Sequence, residues 1–169
     1  MPLRLLFSDG EYLDGETITA NEVYERLPKE LPVTSLPSAD MVQKIFDEIR
    51  AQGYEHVLAI HLSAGLSGTY NLVRLMAEEN VDLDVQVFDS GSGSLGIGMT
   101  LVQAGTMIEN GCTWEQILQA VPEMLAQTKV LFCVDTLEYL QKGGRIGKIT
   151  AMTGTLLQIK PIITFGEGL

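Results

Sequence analysis

Short apolar runs alternate along the chain with segments in which apolar residues recur every three or four positions. The run at residues 57–60 contains no polar residue, as expected of a strand buried on both faces. Helical spacing is clearest where Met41, Ile45 and Ile49 fall on one face. The pattern predicts strands at residues 3–7, 57–60, 85–88, 130–134 and 159–165, and helices at 19–27, 38–50, 68–79, 95–109, from 113 onward, 137–141 and 148–157.

Capping residues mark several of the predicted helix starts. Glu22 follows Thr19 by three residues, and Gln116 follows Thr113 by the same interval, which is the spacing of a capping box. Strands separated by helices of this length predict an α/β fold with a parallel sheet and helices on both faces. In such sheets ligands bind beyond the carboxyl ends of the strands, so the loops there are the first place to search for a site.

Composition narrows the classes of function. Hydrophobic residues make up 46% of the 169 residues and charged residues 20%, which is typical of a globular domain. The net charge of −11 argues against nucleic acid, because affinity for it depends on Lys and Arg contacts with phosphates. Cys112 and Cys133 lack a CxxC spacing, and no apolar stretch has the length of a membrane span. We therefore expect a cytoplasmic protein with two buried, reduced thiols.

The richest cluster of hydrogen-bond donors follows the strand at residues 57–60. Ser63, Ser67 and Thr69 carry hydroxyls, and Gly68 permits close approach to the backbone at the start of a predicted helix. The first N–H groups of a helix and its dipole favour an anion. A plain N-cap uses one hydroxyl whereas this turn has three, so ligand binding and capping are equally open interpretations.

Two smaller clusters lie in other predicted loops. Thr34 and Ser35 precede Ser38, which caps the next helix, and capping leaves the first two hydroxyls unexplained. Asp89 and Ser90 follow the strand at residues 85–88. An aspartate at a strand end can orient a hydroxyl, and a solvated loop is an equal alternative.

A catalytic role for a serine has weak support. Ser67 lies in Gly-Leu-Ser-Gly, which is not the GxSxG nucleophile elbow because glycine follows the serine directly. His56 and His61 are the candidate bases, but both belong to the strand before the loop, so we interpret each as a hydrogen-bonded structural histidine. The sequence also has no metal-ligand spacing and no Walker-type phosphate loop. A small hydrolase or transferase that uses Ser67 stays as an alternative function.

Several segments resemble those of DegV family proteins, in the family's order and at its approximate spacing. They are Thr-Ser-Leu-Pro-Ser at residues 34–38, Leu-Ser-Gly-Thr-Tyr at 66–70, Phe-Asp-Ser at 88–90, Asp-Thr-Leu-Glu-Tyr-Leu-Gln-Lys-Gly-Gly-Arg-Ile at 135–146, the opening residues 2–15 and Ile-Lys-Pro-Ile at 159–162. Each motif alone is weak. The ordered set is specific and spans nearly the whole chain.

The resemblance implies a bacterial fatty-acid-binding protein that is not an enzyme. It implies that the acyl chain lies in a buried tunnel and that the carboxylate is presented to a fatty acid kinase, which forms an acyl phosphate. Carried over by motif, Thr34 and Ser67 hold the carboxylate. The further candidates for the site lining are Ser35, Ser63, Gly68, Thr69, Asp89 and Ser90. The resemblance implies no metal and no cofactor besides the fatty acid, and transient membrane contact is a further expectation.

The resemblance also implies a shortened chain. A Rossmann-like N-terminal domain would span residues 1–146 without its first strand, and residues 147–169 would form a junction helix and the first strand of an incomplete second α/β domain. An open groove would expose apolar surface and favour self-association. A shortened chain that binds no lipid and acts only through protein contacts is a second alternative. The segment at residues 135–146 is either a kinase-docking surface or the packing of the junction.

Overall fold

The computed structural model describes residues 1–147, 160 and 162–166, and the chain forms two compact units, Met1–Gly53 and Tyr54–Leu169. The elements of the first unit are β1 (Arg4–Phe7), β2 (Gly10–Leu13), α1 (Ala20–Arg26), β3 (Val33–Ser35) and α2 (Ala39–Ala51). The described elements of the second unit are β4 (His56–His61), α3 (Thr69–Glu79), β5 (Asp84–Asp89), α4 (Leu95–Glu109), α5 (Trp114–Gln127), β6 (Leu131–Cys133), α6 (Glu138–Lys142) and β7 (Ile162–Thr164).

The first unit is built around an antiparallel sheet in the order β2-β1-β3. Leu5 and Phe7 alternate along β1 and pack with Ile18, so one face of the strand covers a small core. The predicted capping box at Thr19 and Glu22 is present at the start of α1. The Ser38 side chain caps α2 as predicted, because it accepts a hydrogen bond from an N–H of the first turn.

The second unit confirms the α/β prediction, because β4 and β5 form a parallel pair connected through α3. His61 lies opposite Asp89 in this pair, so the carboxyl ends of both strands meet at one edge. Ile60 of β4 packs with Ala104 of α4 and Val121 of α5 in a buried cluster. This packing fixes the strand ends, and with them the loops that carry the predicted site.

Two parts of the sheet structure differ from the prediction. The sequence pattern did not predict β2 and β3, and their pairing with β1 is antiparallel rather than parallel. β6 pairs antiparallel with β7 instead of joining β4 and β5. The predicted helix at residues 148–157 lies outside the described residues, and the predicted domain boundary at residue 146 stays a prediction.

The cysteine prediction is correct in one respect and wrong in another. No disulfide joins Cys112 and Cys133, but Cys133 is exposed and Cys112 only half-buried. Cys133 is exposed because side chains alternate along β6: Phe132 turns inward and packs against Phe165, and its neighbours Leu131 and Cys133 turn outward. None of the described helices is long and apolar enough to cross a membrane.

Candidate functional site

The candidate site is the turn between β4 and α3, which closes around a buried serine. The Ser63 carbonyl accepts hydrogen bonds from the Leu66 N–H at 2.9 Å and the Ser67 N–H at 3.1 Å. The Ser63 hydroxyl accepts another from the Gly65 N–H at 3.2 Å. Ser63 is 2% exposed, so these bonds replace water for its polar groups and hold the turn in one conformation.

Ser67 and Thr69 form a hydroxyl pair at the start of α3. Their side-chain oxygens are 2.8 Å apart, and Ser67 Oγ also accepts from the Thr69 N–H at 3.3 Å. The pair has two hydroxyl protons and uses one in the shared bond, so the other is left to donate to a third group. Gly68 occupies the N-cap position and has no side chain, so Ser67 supplies the cap for the Thr69 N–H instead. This capping uses a lone pair of Ser67 and not a hydroxyl proton, so it leaves the free proton of the pair unused.

Two features place positive charge at this hydroxyl pair, and they act against one carboxylate at the same turn, that of Asp89, which accepts from the Ala64 N–H at 3.1 Å. The first turn of α3 contains no acidic residue, whereas α1, α2 and α5 each have one there. The positive end of the α3 dipole is therefore not neutralised by its own helix. The Arg145 guanidinium adds a full positive charge at the turn, because its Nε donates to the Leu66 carbonyl at 3.2 Å.

Arg145 was not among the predicted site residues. The turn after α6 brings it back toward the site, with Gly144 in the left-handed region at φ +72° and the Arg145 N–H donating to the Leu140 carbonyl at 2.9 Å. The sequence signal was the pair of glycines at residues 143 and 144 directly before an arginine, which indicates a tight turn ending in a cation. Only the structure shows which loop that cation meets.

Asp89 and Ser90 lie beside the β4–α3 turn, but their side chains are used within the loops. Asp89 Oδ1 accepts from the Ala64 N–H at 3.1 Å and from the Gly91 N–H at 2.9 Å, which ties the two strand-end loops together. The Ser90 hydroxyl donates to the Ser92 carbonyl at 3.1 Å and is buried. Asp89 therefore holds the turn that carries Ser67 directly, and Ser90 holds it through Ser92, whose carbonyl also accepts from the Ser63 N–H at 2.9 Å.

Thr34 and Ser35 lie in β3 of the first unit, not in a loop as predicted. They pair with Leu5 and Arg4 respectively, and this antiparallel pairing extends the backbone at residues 33–35 into an edge strand. Thr34 is exposed, and no described residue forms a hydrogen bond with its hydroxyl. Thr34 belongs to the first compact unit and Ser67 to the second.

The two histidines have different environments. His56 lies 3.1 Å from the Asp84 carboxylate and stacks on Trp114 with ring centroids 5.0 Å apart, so the structural interpretation holds for it. The interpretation as a hydrogen-bonded histidine is wrong for His61, because its Nε2 is buried with no partner in the described part of the chain. Burial lowers the pKa of His61 and favours the neutral ring. Neither ring forms a hydrogen bond with Ser67 within the described residues.

Comparison with known proteins identifies the family. The model described as "Uncharacterised protein, DegV family" matches residues 1–169. This chain belongs to the DegV family. A DegV domain-containing protein of Clostridium acetobutylicum is 42% identical over 167 residues, which cover 99% of this chain and 60% of that protein. The chain thus spans about 60% of the length of this curated DegV relative.

Solved structures of DegV family proteins share the fold. One from Thermus thermophilus, described by its fatty acid binding, superimposes with a TM-score of 0.88 at 36% identity, covering 99% of this chain and 60% of that chain. A fatty acid (stearic acid)-binding protein from Eubacterium ventriosum has a TM-score of 0.86 at 34% identity, covering 99% of this chain and 59% of that chain. Both likenesses confirm the α/β fold class.

Proposed function

We propose that this DegV family chain binds a long-chain fatty acid with its carboxylate at the β4–α3 turn and presents it to a fatty acid kinase. The observation that carries the proposal is the Ser67–Thr69 hydroxyl pair, which offers an O–H donor at a helix N-terminus free of acidic residues in its first turn. The solved relatives from Thermus thermophilus and Eubacterium ventriosum, which share the fold, are fatty-acid-binding proteins.

Each candidate residue has a role in this proposal. Ser67 donates to the carboxylate, and Thr69 sets the direction of that donor through the shared hydrogen bond. Arg145 contributes positive charge at the same turn. Thr34, assigned by motif, is the second donor, and Ser35 flanks it in β3. Ser63, Gly68, Asp89 and Ser90 shape and hold the turn, and no cofactor is needed besides the fatty acid.

The acyl chain and the carboxylate make contributions of different size to the binding free energy. Burial of about 14 methylenes at roughly 0.8 kcal/mol each gives a gross gain of about 11 kcal/mol. Each hydrogen bond to the charged carboxylate adds roughly 1.5–3 kcal/mol. Burial of the acyl chain therefore dominates affinity, and Thr34 and Ser67 mainly determine where the carboxylate points. A carboxylate held in a fixed direction is what a kinase needs to transfer a phosphoryl group to it.

The kinase partner rests on the family resemblance and on the chemistry of the turn. Ser67 shares its hydrogen bond with a second hydroxyl and not with a base, so the turn suits binding of an anion better than nucleophilic attack. We therefore assign the phosphoryl transfer to the partner and the binding and orientation of the acid to this chain. A cytoplasmic location, transient membrane contact and self-association stay predictions of the sequence.

Native mass spectrometry of the purified chain, followed by organic extraction, tests the lipid function. We expect close to one fatty acid per chain, either copurified or taken up from added stearate. A chain that stays lipid-free after incubation with excess stearate would contradict the proposal. Denaturing mass spectrometry of the same samples distinguishes lipid binding from the alternative enzyme function. A covalent acyl group on Ser67 would support a hydrolase or transferase instead.

A further inference from the structure

The helix α4 carries an exposed face of large apolar side chains. Leu95 is 75% exposed, Val102 66% and Ile108 59%, and Met99 and Leu101 are exposed as well. These five residues, together with Gly98 and Gly105, are called the α4 face below. A soluble protein leaves single apolar residues in water without consequence, but a contiguous set on one helix indicates a contact surface.

The geometry of the α4 face suits a second helix. At about 100° per residue, Gly98 and Gly105 lie one above the other along the middle of the face, beside Val102. Leu95 and Met99 form the ridge on one side, and Leu101 and Ile108 form the ridge on the other. A Cβ placed on either glycine would have no neighbour within 4 Å, so the groove between the ridges is open.

Charge determines which partner fits this face. The chain has a net charge of −11, yet residues 95–108 contain no charged side chain. Two copies of an acidic chain repel each other wherever carboxylates meet, so this neutral segment is a surface on which they can approach closely. The face carries no Lys or Arg that would attract an anionic membrane surface, and this disfavours a lipid bilayer as the partner.

The exposed area is also sufficient for a specific contact. The five large side chains leave about 500 Å² of apolar surface in water, at the upper end of the largest patches seen on monomers. A two-fold contact that covered the whole face of both copies would bury about twice that area, which reaches the roughly 1,000 Å² minimum of a specific interface.

We infer that the α4 face is a contact between two copies of this chain, in which two α4 helices cross at Gly98 and Gly105. The contact is isologous, because each copy supplies the same ridges and the same glycine groove. It is independent of the proposed lipid function, since it uses neither the β4–α3 turn nor its hydroxyls.

Sedimentation velocity of the 169-residue chain over a range of micromolar concentrations tests the inference. We expect a dimer, and we expect Val102→Glu to raise its dissociation constant at least about tenfold, since the contact would bury an unpaired charge. Val81→Glu is the matched control, because Val81 is 89% exposed, lies outside the α4 face, and gains the same charge. That variant should dimerise like the wild type, apart from a small effect of net charge.

The double variant Gly98→Ala/Gly105→Ala separates folding from association. Its methyl groups meet nothing within the protomer, so in the Val102→Glu background, where association does not contribute, the circular dichroism spectrum and thermal midpoint should not fall. In the otherwise wild-type chain the same two substitutions should weaken the dimer, because the helices can no longer approach. A wild-type chain that sediments as a monomer throughout would overturn the inference. So would a Val102→Glu variant that dimerises as tightly as Val81→Glu, or a monomeric wild type that floats with neutral phosphatidylcholine vesicles in a Val102-dependent manner.

Discussion

Within the described part of the chain, the Ser67 hydroxyl bonds to Thr69, through the hydroxyl and the N–H of that residue. Either hydroxyl can donate in the shared bond, and when Thr69 donates, the Ser67 proton is available to a bound carboxylate. If the acyl chain supplies most of the binding free energy, the Ser67 hydroxyl mainly orients the carboxylate of the bound fatty acid and adds little to the affinity. Loss of the hydroxyl should therefore leave a lipid that is bound but poorly oriented.

We expect Ser67→Ala to lower the rate of acyl phosphate formation by a fatty acid kinase with ATP more than it lowers the fatty acid retained per chain. The reason is that the removed hydrogen bond is small beside the buried methylenes. Ser94→Ala is the control, because Ser94 is exposed at the start of α4 and makes no side-chain cap bond. Equal losses of rate and retention in Ser67→Ala would contradict this division.

Asp84 accepts three side-chain hydrogen bonds at the amino end of β5. Gln86 donates at 2.6 Å and Trp114 Nε1 at 2.5 Å, and His56 Nδ1 lies at 3.1 Å. The bond from Gln86, followed by those from Trp114 and His56, lowers the pKa of Asp84. A carboxylate with a lowered pKa stabilises the fold above its unfolded-state pKa of about 3.9, and that contribution is lost as the pH falls through the folded-state pKa.

We therefore expect Asp84→Asn to lower the free energy of unfolding at pH 7 by about 1 kcal/mol, a modest value because the carboxylate is partly exposed to solvent. The difference from the wild type should shrink below about pH 4. Urea titrations followed by the fluorescence of Trp114, the single tryptophan, measure both effects. Glu16→Gln, which removes an exposed carboxylate elsewhere, is the control. If Asp84→Asn lowered the free energy of unfolding by the same amount at pH 7 and pH 3, the charge of the Asp84 carboxylate would not be the cause.

At the scale of elements, α4 contains two glycines with opposite constraints. A Cβ at Gly96 would collide with the Ser92 hydroxyl and lie 2.8 Å from Val130 Cγ2. A Cβ at Gly98 would have no neighbour within 4 Å. Gly96 therefore permits close packing of α4 on the β5 loop, whereas within the protomer Gly98 only reduces the helical propensity of α4.

We expect Gly96→Ala to cost about 1–3 kcal/mol of stability through overpacking, and Gly98→Ala to gain up to about 1 kcal/mol through helix propensity. Both changes are made in the Val102→Glu background, where association does not contribute to the unfolding free energy. Urea midpoints measured by circular dichroism compare the two variants with their parent. If Gly96→Ala were as stable as Gly98→Ala, that result would contradict the close approach of Ser92 and Val130 to Gly96 of α4.

The helices could be predicted from the sequence more accurately than the strands. The capping boxes at Thr19 and Thr113 act within four residues, so the start of α1 and α5 can be recognised locally. The strand β3 depends on pairing with β1, about thirty residues earlier. The sequence of residues 33–35 contains no local pattern that predicts this pairing. Thr34 was consequently singled out for its hydroxyl while its strand was missed.

The candidate site shows the same limit. The three hydroxyls of the β4–α3 turn are local in sequence and were predicted, although the bond between Ser67 and Thr69 was not. Arg145 reaches Leu66 across 79 residues, and Asp89 reaches Ala64 across 25. Such contacts arise from the packing of elements, so a cation or a carboxylate that serves the site from far along the chain can be identified only in the folded structure.

At the scale of the whole molecule, the proposed carboxylate donors are divided between two units. Thr34 lies in the antiparallel sheet of the first and Ser67 in the parallel-sheet unit. The assignment of both hydroxyls to one carboxylate comes from the family's motifs, so it needs a test of its own. A double-mutant cycle on the two residues measures whether they act on the same bound carboxylate.

We expect Thr34→Val and Ser67→Ala to act non-additively on the dissociation constant for stearate, with an interaction free energy of at least about 0.5 kcal/mol. Once one donor is lost, the carboxylate can reorient, so removal of the second costs less than it does alone. Thr164→Val is the control, because Thr164 is also an exposed threonine in a three-residue strand, and its effect should simply add to that of Ser67→Ala. Additive effects of Thr34→Val and Ser67→Ala would mean that the two hydroxyls do not share a carboxylate. The β4–α3 turn and Arg145 would then orient the acid without Thr34, because two donors act as one site only when both bond to the same carboxylate.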